Sequence, residues 1–105
     1  MRLRDKVAVV SGAGSGIGRA ISHRYAEEGA KVVCFELDEA SLNKTVSDIT
    51  GNGGTAVGIA GNAIDRSDVK MAVDSTVALY GTLDIMVNVV GGGCPNDYDI
   101  EAITE

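Results

Sequence analysis

A glycine-rich segment near the start of the chain has the residue types that suit phosphate binding. It reads SGAGSGIG from Ser11 to Gly18, and it follows a short valine-rich run and precedes a segment with helical spacing. A phosphate can approach the backbone at such a strand-to-helix junction, because free N–H groups and the helix dipole supply partial positive charge. We therefore predict a nucleotide site, in which Gly12 allows the turn, Gly16 the close approach of the phosphate and Gly18 the packing of helix on strand.

The spacing of the glycines separates three kinds of nucleotide loop. A nucleoside-triphosphatase loop requires GxxxxGK[ST], and the sequence contains no Gly-Lys pair. The GxGxxG pattern of other dinucleotide folds fails, because Ile17 stands where its last glycine would be; the pattern here is GxxxGxG, ending at Gly18. A GxGxG loop of the kind that binds S-adenosylmethionine in methyltransferases, through Gly12, Gly14 and Gly16, stays open as an alternative.

An acidic side chain at the end of the second predicted strand can select the nucleotide. Glu36 lies 18 residues beyond Gly18, close to the spacing at which a carboxylate accepts hydrogen bonds from the adenosine ribose of NAD. The same charge repels the 2′-phosphate of NADP, and neither Ser15 in the loop nor Leu37 offers a positive charge to attract it. We predict NAD over NADP. Asp38 is a second candidate for the ribose, and capping of the next helix explains it equally well.

Two segments together resemble motifs of the short-chain dehydrogenase/reductase family. The loop, with the KVAVV run before it, is similar to the family's TGxxxGxG cofactor loop, with Ser11 in place of the usual threonine. The segment LDIMVNVVGG at 83–92 resembles the family's LDxLVNNAG, and Asn88 and Gly91 match it, whereas two valines follow Asn88 where the family has Asn and Ala. The resemblance covers essentially the whole chain. It implies hydride transfer between the nicotinamide of NAD(P) and an alcohol or carbonyl substrate.

The resemblance also implies which residues contact the cofactor. Asn62 stands where the family has the Asp of an Asp-Val pair that contacts the adenine. Its side-chain oxygen can accept a hydrogen bond from the adenine amino group, or it can simply form a turn. The predicted cofactor-binding set is Gly12, Gly14, Ser15, Gly16, Ile17, Gly18, Glu36, Asn62, Asn88 and Gly91.

The catalytic residues that the resemblance implies are missing from the sequence. The family uses a Ser and a Tyr-x-x-x-Lys pair, in which the lysine lowers the pKa of the tyrosine so that its phenol can exchange a proton with the substrate. Four residues beyond the three tyrosines the sequence has Gly29, Asp84 and Ala102, so no such pair exists. We assign no catalytic residue. His23, the one histidine, is predicted to be a solvated surface residue.

The predicted elements place the motifs on an α/β fold. Strands are predicted over 6–11, 31–36, 55–60 and 83–90, and helices over 16–28, 39–49 and 66–80, the last capped by Asp65. The alternation implies right-handed parallel crossovers and a Rossmann-like doubly wound parallel sheet in the order 3-2-1-4. The tail, 96–105, is predicted to begin another helix. The apolar face of the first helix is predicted to hold Ile17, Ala20, Ile21 and Tyr25.

Composition and charge exclude other classes of function. The 105 residues suit a single domain, and 45% apolar with 23% charged residues is typical of a globular protein. The net charge of −6 argues against a nucleic-acid partner, and the absence of a long apolar run or signal peptide predicts a cytoplasmic protein without a membrane partner. Cys34 and Cys94 lack the spacing of a disulfide scaffold or zinc site, so we expect free thiols and no metal.

The fourth predicted strand leads to an expectation about completeness. Residues 83–90 are apolar on both faces, as in a covered strand, yet they would form a sheet edge with one helix on the second face. We expect residues 1–105 to be a single NAD-binding half domain, truncated before the catalytic segment. Otherwise a partner, such as another copy in a homo-oligomer, would have to cover this strand. A non-catalytic dinucleotide-binding module stays open as an alternative function.

Overall fold

Three helices alternate with the first four strands along the chain. The computed structural model describes residues 2–14, 16–91 and 98–104. Its strands are β1 (Val7–Ser11), β2 (Lys31–Glu36), β3 (Thr55–Ala60), β4 (Ile85–Gly91) and β5 (Tyr98–Thr104), and its helices are α1 (Gly16–Glu27), α2 (Glu39–Gly51) and α3 (Arg66–Tyr80). The sequence predicts β1 to β4 and all three helices, with each bound within two residues of the observed one.

The five strands form one sheet in the order β3-β2-β1-β4-β5. β1 is parallel to both β2 and β4, and β2 is parallel to β3, which confirms the predicted order 3-2-1-4. Ser11, the last residue of β1, pairs with Phe35 on one side and with Asn88 on the other. The glycine loop, the end of β2 and the end of β4 therefore lie next to one another at the carboxyl edge of the sheet.

The fifth strand corrects two expectations. β5 runs antiparallel to β4 along its whole length, from Tyr98 opposite Gly91 to Thr104 opposite Ile85. The helix predicted over 96–105 is therefore wrong, and the sequence YDIEA in this tail has the polar and apolar alternation of a strand. The expectation that 83–90 would be an uncovered sheet edge is wrong for the same reason, because β5 occupies that edge.

Helices cover both faces of the sheet. α1 and α2 pack on one face, where the buried core includes Val10, Val32, Cys34, Leu42, Ile49 and Val87. α3 packs on the other face through Ala72, against Val9, Val33 and Phe35. Alternate residues of β1 and β2 thus enter opposite cores, and β1 is buried throughout, as expected for a parallel strand covered on both faces.

Asp84 joins the start of β1 to the segment that enters β4. Its carboxylate oxygen Oδ2 accepts a hydrogen bond of 2.9 Å from the Val7 N–H, and its own N–H donates to the Val7 carbonyl at 2.9 Å. Val7 is 1% exposed, so water cannot readily replace the carboxylate. The pair therefore fixes the neighbouring ends of two central strands.

We expect Asp84→Ala to lower the free energy of unfolding by about 1–3 kcal/mol, because it leaves the buried Val7 N–H without its acceptor. Asp84→Asn keeps an oxygen at this position and should lower the free energy of unfolding clearly less than Asp84→Ala does. Urea denaturation followed by circular dichroism measures both variants against the parent. Equal losses for the two substitutions would show that this hydrogen bond contributes little.

Cys34 is a free thiol in the buried core between the sheet and the α1–α2 layer. Burial raises the pKa of Cys34 to about 11, although a hydrogen bond with Ser22 acts in the opposite direction. Because the thiolate is the reactive form, its population near neutral pH is very small. Cys94 lies outside the described residues.

Cys34 is expected to react with iodoacetamide at pH 8 at least about a hundredfold more slowly in the native protein than in guanidinium chloride, where its pKa returns to the ordinary value. Peptide mapping by mass spectrometry separates its labelling from that of Cys94. Labelling of Cys34 in the native protein at the rate seen in the unfolded protein would contradict the burial of this thiol.

Among the described residues, no helix is long and apolar enough to cross a membrane.

Candidate nucleotide-binding site

The glycine loop connects β1 to α1 at the carboxyl edge of the sheet. Gly12 has a φ of +79° and Gly16 a φ of +54°, left-handed values that glycine adopts without the penalty a Cβ would bring. The N–H groups of Gly12 and Ala13 both donate to the Phe35 carbonyl, at 2.8 and 3.3 Å. These bonds hold the first half of the loop against the end of β2.

Gly16 is the point of the loop with open space. A Cβ built on Gly16 would meet no atom within 4 Å, and the residue is exposed at the first position of α1. The first N–H groups of a helix have no partner within the helix and carry partial positive charge, so an anionic group can reach the backbone here. The residues present therefore fit a cofactor that carries phosphate groups.

Gly18 brings α1 into contact with the turn. A Cβ on Gly18 would overlap the carbonyl oxygen of Gly12 and would lie 3.2 Å from the Cα of Ala13. Gly18 and Ser22 are the buried residues of α1, and the Ser22 hydroxyl donates to the Gly18 carbonyl at 2.8 Å. The helix therefore approaches the sheet through small residues, whereas of the predicted apolar face Ala20 is exposed and the other members are half-buried.

Glu36 ends β2 beside the glycine loop. Its carboxylate accepts two backbone hydrogen bonds, from the Gly14 N–H to Oε1 at 2.9 Å and from the Asp38 N–H to Oε2 at 3.1 Å. The side chain is half-buried. Because a carboxylate has about four acceptor positions, the group can still accept hydrogen bonds from hydroxyl groups of a ligand.

Asp38 is the N-cap of α2. Its carboxylate accepts from the Ser41 hydroxyl at 2.7 Å and from the Ala40 N–H at 3.2 Å. These hydrogen bonds, above all the one from Ser41, lower the pKa of Asp38. Of the two explanations that the sequence leaves open for Asp38, the structure shows the capping one.

Asn62 lies in the turn between β3 and α3. Its side-chain Oδ1 accepts from the Ile64 N–H at 3.1 Å, and its backbone N–H donates to Asp68 Oδ2 at 2.9 Å. This is the turn-forming alternative that the sequence allowed for Asn62. Contact between Asn62 and an adenine stays a prediction.

Asn88, Val89 and Gly91 lie at the carboxyl end of β4. Asn88 is half-buried and pairs in register with Ser11, which is 1% exposed and whose hydroxyl oxygen has no hydrogen-bond partner among the described residues. A Cβ on Gly12 would lie 2.9 Å from the carbonyl oxygen of Val89, so the loop also packs on β4. Ser15 and residues 92–97 lie outside the described residues.

His23 lies at the other end of α1, away from the glycine loop. It is half-buried and borders a cleft of about 380 Å³ whose lining also includes Glu27, Ile49, Asn52 and Gly54. The cleft is separate from the site that Glu36 and the loop define.

Within residues 2–14, 16–91 and 98–104, no three His, Cys, Asp or Glu side chains come together as metal ligands.

Comparison with known proteins identifies the family. The short chain dehydrogenase family model matches residues 6–105. The 3-oxoacyl-[acyl-carrier-protein] reductase FabG of Thermotoga maritima is 36% identical over 91 residues, which cover 87% of this chain and 37% of that protein. The 7alpha-hydroxysteroid dehydrogenase of Escherichia coli K12 is 33% identical over 100 residues, which cover 95% of this chain and 39% of that protein.

Solved structures agree with the sequence matches. A 7alpha-hydroxysteroid dehydrogenase complexed with NADH and 7-oxo glycochenodeoxycholic acid superimposes with a TM-score of 0.85 at 34% identity, over 90% of this chain and 37% of that chain. The apo form of a Caenorhabditis elegans glucose dehydrogenase gives a TM-score of 0.82 at 29% identity, over 89% of this chain and 40% of that one. With its 3-2-1-4 parallel sheet and glycine loop, the chain belongs to the short-chain dehydrogenase family. It spans less than half the length of these relatives.

Proposed function

We propose that this chain is the cofactor-binding part of an oxidoreductase and that it binds NAD in preference to NADP. The observation that carries the proposal is the Glu36 carboxylate, which the N–H groups of Gly14 and Asp38 hold beside the glycine loop. Membership of the short-chain dehydrogenase family supports a nicotinamide cofactor. For the whole protein we propose hydride transfer between the nicotinamide and a small alcohol or carbonyl substrate. When bound, NAD supplies the hydride acceptor and its reduced form the hydride donor.

The loop residues 12–18 are proposed to bind the pyrophosphate of the cofactor. Gly12 forms the turn, and the open backbone at Gly16 and Ile17 offers N–H groups at the start of α1. Gly18 supports this arrangement by allowing α1 to lie against the turn. Ser15 is included in the proposal on sequence grounds alone.

The Glu36 carboxylate is proposed to accept hydrogen bonds from the hydroxyls of the adenosine ribose. A 2′-phosphate would bring a second negative charge against this half-buried carboxylate, which is unfavourable at short range. Leu37, which follows, is 66% exposed and uncharged, so it offers no compensating cation. Both features favour NAD over NADP.

Strand order sets the direction in which the cofactor would lie. In an open α/β sheet a ligand binds where the strand order reverses, which in this sheet is between β1 and β4. We therefore place the adenine towards Asn62, beyond β2, and the nicotinamide towards Asn88 and Gly91 on β4. These residues, with the loop and Glu36, complete the proposed site.

The proposed function is tested by mapping ligand contacts in ¹H–¹⁵N correlation spectra of the protein. Addition of NAD should shift the amide resonances of the loop, of Glu36 to Asp38 and of Asn88, while S-adenosylmethionine should shift none of them. Shifts in these amides with S-adenosylmethionine and not with NAD would instead support the methyltransferase-like alternative. Shifts with neither ligand would refute a nucleotide site at this edge of the sheet.

Location and oligomeric state stay predictions. We expect a cytoplasmic homo-oligomer. Apolar side chains of α3 are accessible to another chain, since Met71, Val77 and Leu79 are 42, 43 and 58% exposed and the burial of apolar side chains favours association. Light scattering coupled to size-exclusion chromatography should give more than one chain per particle, and a monomer would refute the expectation.

A further inference from the structure

We infer that Gly14 is a positioning residue for the Glu36 carboxylate and that it thereby controls the preference for NAD over NADP. The inference rests on the proposed function, and it concerns the loop glycine to which the GxxxGxG pattern assigns no role. Gly14 acts on the carboxylate in two ways, as a hydrogen-bond donor and through the absence of a side chain.

The donor role follows from the hydrogen bond between the two residues. The Gly14 N–H donates to Glu36 Oε1 at 2.9 Å, and the Asp38 N–H donates to Oε2 at 3.1 Å. The two oxygens of the carboxylate are thus held from two sides, by the loop and by the start of α2. This fixes the orientation of the carboxylate before any ligand arrives.

The missing side chain is required for space and not for backbone conformation. Gly14 is not among the glycines with positive φ, unlike Gly12 and Gly16. A Cβ on Gly14 would lie 2.6 Å from Glu36 Cγ, 2.7 Å from Glu36 Oε1 and 2.7 Å from Ser41 Cβ. All three separations are shorter than the contacts that real Cβ atoms make, so a side chain at position 14 requires a neighbour to move.

The neighbour that moves most easily is Glu36. Ser41 belongs to the first turn of α2 and its hydroxyl donates to Asp38 Oδ2 at 2.7 Å, so its Cβ is fixed by the helix and by the cap. Glu36 is a flexible side chain that can rotate about its own bonds at small cost. An alanine at position 14 should therefore displace the carboxylate from the loop and break its bond to the N–H of residue 14. Because the Cβ of Ser41 cannot rotate away, the loop and the first turn of α2 must also move slightly apart.

Gly14→Ala tests the inference through the ratio of the dissociation constants for NADP and NAD, measured by calorimetry. The ratio should fall by about tenfold or more, because the carboxylate that discriminates between the cofactors is no longer held in place. In a Glu36→Ala background, Gly14→Ala should change the ratio little further, since the residue through which it acts is gone. Gly51→Ala is the control: it lies at the far end of α2, and its added Cβ meets no atom within 4 Å.

A spectroscopic readout separates positioning from a general loss of structure. In the parent protein Glu36→Gln should shift the amide resonance of Gly14, because Glu36 Oε1 is the acceptor of that N–H, and in Gly14→Ala the same substitution should leave the amide of residue 14 nearly unchanged. If Gly14→Ala does not fold, Gly14→Ala/Ser41→Gly removes the contact with Ser41 and keeps the one with Glu36, and the same fall in ratio is expected.

The outcomes distinguish this inference from the proposed function. A parent protein that binds NAD and NADP equally, or neither, overturns the proposed function and the inference with it. A parent that prefers NAD, with the same preference in Gly14→Ala, overturns the inference alone. An equal effect of Gly14→Ala with and without Glu36 also overturns it, because the effect would then not pass through the carboxylate.

Discussion

Gly18→Ala is expected to lower the free energy of unfolding by about 3 kcal/mol, at the upper end of the range for overpacked sites. The added Cβ would overlap the carbonyl oxygen of Gly12, a backbone atom that cannot rotate away as a side chain can. Relief requires α1 to move off the turn, which also disturbs the loop. Because domains are stable by only about 5–15 kcal/mol, this single methyl group should be visible in a urea denaturation curve and in weakened NAD binding.

Gly51→Ala again serves as the matched control for an added methyl group. Gly51 is exposed at the end of α2, its φ is not positive, and an added Cβ meets nothing within 4 Å. Alanine there should leave stability unchanged or raise it by up to about 1 kcal/mol, because glycine is the poorer helix former. A similar change in both variants would mean that Gly18 is not packed against Gly12 as described.

Glu36→Ala is expected to lower the ratio of the dissociation constants for NADP and NAD by about 10- to 100-fold. A hydrogen bond to a charged group contributes about 1.5–3 kcal/mol, and 1.4 kcal/mol is a factor of ten in affinity. NAD should bind more weakly because its ribose hydroxyls lose their acceptor. The affinity for NADP should fall less than that for NAD, or rise, because the repulsion of its 2′-phosphate is removed. Calorimetric titration with each cofactor at the same ionic strength measures both effects.

Glu39→Gln is the control for the change in net charge. Glu39 is an exposed carboxylate in the first turn of α2, and the proposed site does not use it. The substitution removes one negative charge near Glu36 and should leave the ratio unchanged. If both substitutions shift the ratio equally, cofactor preference would arise from the overall negative charge of the protein and not from the Glu36 carboxylate.

Local signals explain why most of the fold could be predicted from sequence. Gly12 follows the valine-rich run that becomes β1, and Gly29 lies just before the run that becomes β2. Asp65 caps α3, and Gly81, with a φ of +82°, ends it. Each of these features lies within a few residues of the element it defines. The 3-2-1-4 order then follows from the handedness of parallel crossovers.

Features that depend on how elements pair and how closely they pack could not be predicted in the same way. β5 is a strand because it pairs with β4, and no short motif in 98–104 specifies that partner. The apolar spacing of α1 points to Ile17, Ile21 and Tyr25, yet Gly18 and Ser22 are the buried residues, because the helix lies too close to the turn for larger side chains. Periodicity indicates the general face of a helix but not how closely it packs.

The candidate site also has features that the sequence predicts and features that it does not. The spacing of the loop glycines and the position of Glu36 after β2 can be found from the sequence, since both depend on the order of elements. The bond between Gly14 and Glu36 joins residues 22 positions apart, and the use of the Asn62 oxygen in its own turn depends on local geometry. Such choices of hydrogen-bond partner are visible in the structure alone.

The preference for NAD over NADP is tested most directly by calorimetric titration of the purified protein with each cofactor, in one buffer at one ionic strength. Glu36, held beside the loop by Gly14 and Asp38, predicts that NAD binds with a dissociation constant at least about tenfold lower than that of NADP. Equal affinities, tighter binding of NADP, or no binding of either cofactor would contradict it.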